Sequence, residues 1–133
     1  MKRWLALAAL LAASGPGCHG DQGPAGGELS LRLATPRNGD RAVMVVVNGR
    51  VRGASAPSGS GYRVFADTSA DGDTAHVVVV APRGSAVIAG EIARLRVEDT
   101  RKYRTYTARV LTAATATYDL ADTVGLSVTI VKP

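Results

Sequence analysis

Cysteine occurs once in the 133 residues, at Cys18. An internal disulfide is therefore excluded, and in an oxidising compartment the core must hold the fold alone. Aromatic residues make up 5% of the chain, with one Phe and one Trp, and the Trp is Trp4 near the N-terminus. That scarcity argues against a sugar-stacking strip of Trp and against the basic–aromatic platforms of single-stranded nucleic-acid binders, so no nucleic-acid partner is expected. Tyr62, Tyr103, Tyr106 and Tyr118 then read as core or rim packing. No apolar run approaches the roughly 20 residues that a membrane-spanning helix needs. Metal and cofactor chemistry is also poorly supplied: the only imidazoles are His19 and His76, and neither a metal site nor a cofactor is expected.

What is present begins with a leader. Lys2 and Arg3 precede ten apolar residues, Trp4 to Ala13, and small residues follow, the layout of a secretory signal. Residues 1–17 are assigned to it. Cys18 follows the small residue Gly17 at the end of this stretch, and the arrangement resembles the lipobox of bacterial lipoproteins, although Gly15 and Pro16 stand where that family usually has Leu and then Ala or Ser. The resemblance implies that Cys18 carries a diacylglyceryl group and becomes the mature N-terminus, with the membrane as a partner through the lipid. Ordinary signal-peptidase cleavage after Ala13 or Ser14, or a cut beyond the cysteine, is the alternative. Residues 18–27, rich in Gly, read as a flexible tether. His19 rather than Asp follows Cys18, which in a Gram-negative cell points to the outer membrane.

Removing Lys2 and Arg3 leaves 14 basic against 11 acidic side chains, a modest excess composed mostly of Arg. Residues 28–133 are enough for one domain with a real core and too few for two. They read as short strands. Leu29, Leu31 and Leu33 alternate with polar residues, as do Ala93, Leu95 and Val97 against Arg94 and Arg96, and Leu126, Val128 and Ile130 close the chain in the same way. Arg41 to Val47 is apolar on both parities, as a central strand would be, and Asn48-Gly49 after it is a strong hairpin signal. Further strands are expected over Gly61 to Thr68, Thr74 to Ala81 and Tyr103 to Ala113, while Ala114 to Asp122 reads equally as strand or loop. With turn clusters between them and no convincing helix, the pattern specifies an all-β single domain, an antiparallel β-sandwich of immunoglobulin-like or cohesin-like type.

The segment Gly84 to Val97 (GSAVIAGEIARLRV), a Gly before an alternating strand late in an all-β domain, is similar to the corresponding part of cohesins and related carbohydrate-binding-type sandwiches. The late pattern Tyr106-Thr107-Ala108-Arg109-Val110 is similar to that of small uncharacterised exported lipoproteins. The resemblance implies a sandwich and a recognition role; it brings no ligand-contacting residue with it.

Candidate chemistry is thin. His76 opens the apolar run Val77 to Val80 and reads as structural, because no Gly-x-Ser-x-Gly elbow accompanies it. Asp67, Asp71 and Asp73 lie close together, but the closing Glu of a calcium loop is absent; Asp-Gly in a hairpin turn explains Asp71 and Asp73 by backbone geometry, with weak calcium binding left open. Arg50 and Arg52, Arg94 and Arg96, and the Arg101-Lys102-Arg104 group point outward by parity. If their strands are neighbours, Arg50, Arg52, Arg94 and Arg96 form a candidate ligand surface; the opposing reading is a solvated face neutralised by Glu91 and Glu98. The functional expectation is an exported, non-enzymatic binding module of the cell envelope with a protein or polysaccharide ligand. A second expectation is a structural lipoprotein that pairs through a strand edge, and a third is a hydrolase.

Overall fold

Leucine at every second position of the first strand leaves one face of it apolar, and that face closes the core. The computed structural model describes residues 25–133. In it, β1 (Gly27–Ala34), β2 (Ala42–Asn48), β3 (Val51–Ser55), β4 (Arg63–Thr68), β5 (Thr74–Val80), β6 (Gly90–Val97), β7 (Thr107–Ala114), β8 (Leu120–Ala121) and β9 (Ser127–Val131) follow in order, with a 3₁₀ helix at Thr100–Thr105. They build two antiparallel sheets, β3-β6-β1-β9 and β4-β5-β2-β7-β8. The two sheets pack face to face as a β-sandwich, the architecture that the alternation predicts. Between them Leu29, Leu31, Ile92 and Leu95 of one sheet meet Val43, Val45, Val47, Val77 and Val79 of the other, all fully buried. Burying such side chains contributes roughly 1.5–3 kcal/mol each before entropy is charged.

The double-sided apolarity of β2 follows from its place in the middle of the larger sheet. Val43, Val45 and Val47 enter the core, whereas Val46 lies on the outer face between His76 of β5 and Arg109 of β7 and is still only 6% exposed. The chain before β1 is tied to the body sooner than a tether ending at residue 27 would suggest: the Ala25 carbonyl accepts from Thr100 N–H at 2.8 Å, and Gly27 is already in the strand.

Two expectations are corrected, and a bulge appears that the sequence did not announce. Asn48-Gly49 does not close a hairpin: β2 lies in the five-stranded sheet and β3 pairs with β6 in the other. Gly49 takes φ +134°, and its N–H donates to Asp73 O at 2.8 Å, so the pair turns a corner between sheets. Tyr103 to Thr105 belong to the 3₁₀ helix, which Asp99 caps by accepting from Arg101 N–H at 3.0 Å. In β7, Val110 pairs with Val45 but Thr112 with Met44, so Leu111 is an extra bulged residue. The bulge reverses the parity, and Ala113 rather than Thr112 is buried. The ambiguous segment Ala114 to Asp122 is the β7–β8 hairpin, with Thr115 N–H donating to Asp119 O at 2.9 Å.

Candidate functional site

β3 and β6 are neighbours, so the fold does gather the expected arginines around one sheet, and it gives most of them carboxylates. Arg94 Nε donates to Glu91 at 3.1 Å, and its Nη1 lies 3.9 Å from Glu28. Arg52 pairs with Glu98, whose carboxyl is held below its ordinary range chiefly by that hydrogen bond. Arg50 pairs across to Asp73 at 3.2 Å. Arg96 extends over Gly53, where an added Cβ would come within 2.6 Å of its guanidinium. Glu91 is further fixed by the buried Ser30, whose hydroxyl donates to it at 2.5 Å and, as the leading cause, keeps its carboxyl low against the opposing effect of burial. Cations and anions alternate on this face, so its local field is small.

The other singled-out residues lie apart from this face or are paired locally. Asp71 accepts from Ser69 Oγ at 2.5 Å and from Asp73 N–H at 3.0 Å within the β4–β5 turn, where Gly72 has φ +77°. Asp67 lies on β4 away from that turn, opposite His76. His76 is exposed on the outer face of the five-stranded sheet. Arg101 is bound to Asp99 at 3.0 Å, and Arg104 donates to Tyr103 Oη at 3.1 Å with Lys132 5.2 Å from the same ring. Arg104 foremost, and Lys132 with it, hold the Tyr103 phenol below its ordinary value. Cys18 lies outside the described residues.

A different arginine cluster is not neutralised. Arg41 directly precedes β2, Arg63 opens β4, and Arg83 sits in the Pro82-Arg83-Gly84 break after β5. Strand register brings them together: Ala42 and Arg63 are both partners of Val80, and the Ala81 N–H donates to the Arg41 carbonyl at 2.9 Å. Tyr118 joins them from the β7–β8 turn, its ring centroid 5.9 Å from the Arg41 guanidinium carbon. These four side chains, with Val80 and Pro82, line a cleft of about 450 Å³, and no Asp or Glu is among its lining residues. Arg41 Nε is spent on the Ala81 carbonyl at 3.1 Å. The side chains of Arg63 and Arg83 make no hydrogen bond or ion pair among the described residues.

Two physical features mark the cleft. Three guanidinia without a counter-charge repel one another and are relieved by an anion; the planar fork of arginine also matches carboxylate or phosphate with two parallel hydrogen bonds. Tyr118 adopts φ +64°, the left-handed region that a non-glycine residue enters at a cost of about 1–2 kcal/mol. That backbone presents the ring, 65% exposed, at the rim, where its apolar body and hydroxyl suit a sugar ring. Sequence reading missed this group because its members lie at the start of β4, just before β2, just after β5 and in the β7–β8 turn, places that only the pairing unites. The one local signal was the outward parity of Arg63.

Comparison with known proteins finds no match: no family model fits the chain, and neither the curated proteins nor the solved structures include one of significant similarity.

Proposed function

We propose that this protein is an exported, lipid-anchored and non-enzymatic binding module of the cell envelope that recognises an acidic glycan. The observation that carries the ligand class is the cleft of Arg41, Arg63 and Arg83, uncompensated by any lining carboxylate and rimmed by Tyr118. Its volume of about 450 Å³ suits one or two sugar rings carrying carboxylate, phosphate or sulfate. The net positive charge of the chain favours approach to a polyanion. The lipobox-like leader supports attachment through Cys18 and, in a Gram-negative cell, placement at the outer membrane; the cohesin-like pattern of Gly84 to Val97 supports a recognition domain. Anchoring would hold the cleft at a surface and raise its effective concentration there.

The test uses protein expressed in a bacterium with its own leader and recovered from membranes. Its N-terminal peptide is expected to begin at Cys18 with diacylglyceryl and acyl masses, and an unmodified start elsewhere would remove the anchor from the proposal. On an array of acidic and neutral glycans the protein should retain acidic glycans alone. Equal retention of both classes, or of neither, would overturn the ligand assignment.

One observation favours the second reading, a structural lipoprotein that accepts a strand. β8 pairs with β7 at Ala113 and Ala114 alone, so Thr107–Leu111 has no strand partner on that side, where β9 of the other sheet lies alongside. Beside that edge lies a groove of about 350 Å³ containing Tyr103, Tyr106, Thr129 and Ile130. Unpaired strand edges of this kind template addition of another chain. Co-purification of an envelope protein that is abolished by Ala108→Pro, with glycan retention unchanged, would establish this role.

A further inference from the structure

The outer face of the five-stranded sheet carries an apolar stripe that follows the strand register. Phe65, Val78, Met44 and Thr112 lie in one row across β4, β5, β2 and β7, and Arg63, Val80, Ala42 and Ala114 in the next. Phe65 is 57% exposed, and a shallow apolar depression of about 160 Å³ between Met44, Val78 and Leu120 marks the middle of the stripe. A third row, Asp67, His76, Val46 and Arg109, bounds it on one side. Asp67 and Arg109 sit three strands apart, about 14 Å at ordinary strand spacing. That is too far for them to pair within one chain, and neither side chain makes a hydrogen bond or ion pair among the described residues.

From this arrangement we infer that the face is a self-complementary surface whose partner is a second copy of the same chain. A two-fold axis parallel to the strands and lying between β5 and β2 exchanges β4 with β7 and β5 with β2, and it leaves each row facing itself. Phe65 of one copy then lies over Thr112 of the other, Val78 over Met44, and Val80 over Ala42. Asp67 of each copy meets Arg109 of the other, so the two unpaired charges are satisfied twice by one operation. This is the reciprocity that an isologous interface demands. The chemistry selects a copy over other occupants because the same face supplies both the charge and its complement at matching positions. A lipid surface would leave Asp67 facing anionic headgroups.

Area sets the strength. Four strands at about 4.8 Å spacing and six residues at about 3.3 Å rise give a flat footprint of roughly 400 Å² per copy, which is at the low end for specific association even after side-chain relief is added. The dimer is therefore of the weak, micromolar class and draws on membrane tethering for its population. The operation keeps each row at its own end of the strands, so Arg63 of each copy faces Ala114 of the other and the two arginine clusters meet at one end of the pair.

The experiment is sedimentation velocity of the full chain from about 1 to 200 μM, with Asp67→Arg, Arg109→Asp and the double exchange as variants, all checked for native β-sheet circular dichroism. The expected result is a concentration-dependent dimer. Each single variant should weaken it by about tenfold or more, because like charges then face each other twice, and the double exchange should restore it. A wild-type chain that stays monomeric at 200 μM overturns the inference, and so does a dimer that the single variants leave unchanged. A monomer that instead sediments with anionic phosphatidylglycerol vesicles through Phe65 would reassign the face to the membrane.

Discussion

The ring of Tyr106 occupies the space that a side chain at position 49 would need. A Cβ on Gly49 would lie 2.3 Å from Tyr106 Cδ1, and the Tyr106 hydroxyl donates to the Arg50 carbonyl at 2.9 Å. This contact locks the corner at which the chain leaves the five-stranded sheet for the four-stranded one, with the phenol pushed above its ordinary value chiefly by burial.

The corner therefore rejects any side chain. Gly49→Ala combines φ +134° with a ring clash and is expected to lower stability by about 3 kcal/mol or more. Tyr106→Phe, which keeps the ring and loses only the hydrogen bond, should cost about 1 kcal/mol. Urea unfolding midpoints of the two variants distinguish the contributions; equal losses would mean that the hydroxyl, not the ring, sets the corner.

Acid should loosen the 3₁₀ helix. Asp99 has its carboxyl lowered from 3.8 to about 2, first by the Arg101 side chain and then by the Arg101 backbone N–H. A carboxylate whose folded value is depressed stabilises the fold above its unfolded value and loses that contribution as pH falls through the folded one. Thermal midpoints are thus expected to drop between about pH 4 and pH 2, and Asp99→Asn should show a smaller drop over that window. A variant with the same acid limb as the wild type would place the sensitive carboxylate elsewhere, with Glu91 the next to examine.

Tyr118 should separate stability from recognition. Replacement by Gly relieves the left-handed backbone and is expected to raise stability by up to about 1 kcal/mol, while removing the ring beside Arg41 weakens acidic-glycan retention. Differential scanning calorimetry paired with the glycan array measures both. A variant that binds as well as the wild type would reduce the ring to an exposed turn residue.

Much of the sandwich was legible because half-buried strands carry their orientation in every second residue. Leu29, Leu31 and Leu33 show this in β1, and Ala93, Leu95 and Val97 in β6. The centrality of β2 was also legible, since only a strand covered on both faces tolerates Val at every position from 45 to 47. Asn48-Gly49 misled because a tight hairpin and a corner between sheets ask for the same local backbone freedom, and the choice rests on Tyr106, more than fifty residues away. The bulge at Leu111 left no local mark; it appears only when β7 is laid against β2. The arginine surface was foreseeable in position and in its neutralisation by Glu91 and Glu98, whereas Glu28 and Asp73 joined it through pairings that only the fold supplies. The cleft of Arg41, Arg63 and Arg83 is a product of pairing alone.

The most direct measurement is a calorimetric titration of an oligouronate into the full chain, beside its Arg63→Ala and Arg83→Ala variants and a neutral oligosaccharide of equal length. Specific binding by the wild type is predicted, weakened by added salt, reduced by each variant by about 1.5 kcal/mol or more, and absent for the neutral sugar. Binding that survives both substitutions unchanged, or no binding of the acid by the wild type, would contradict the assignment of the cleft.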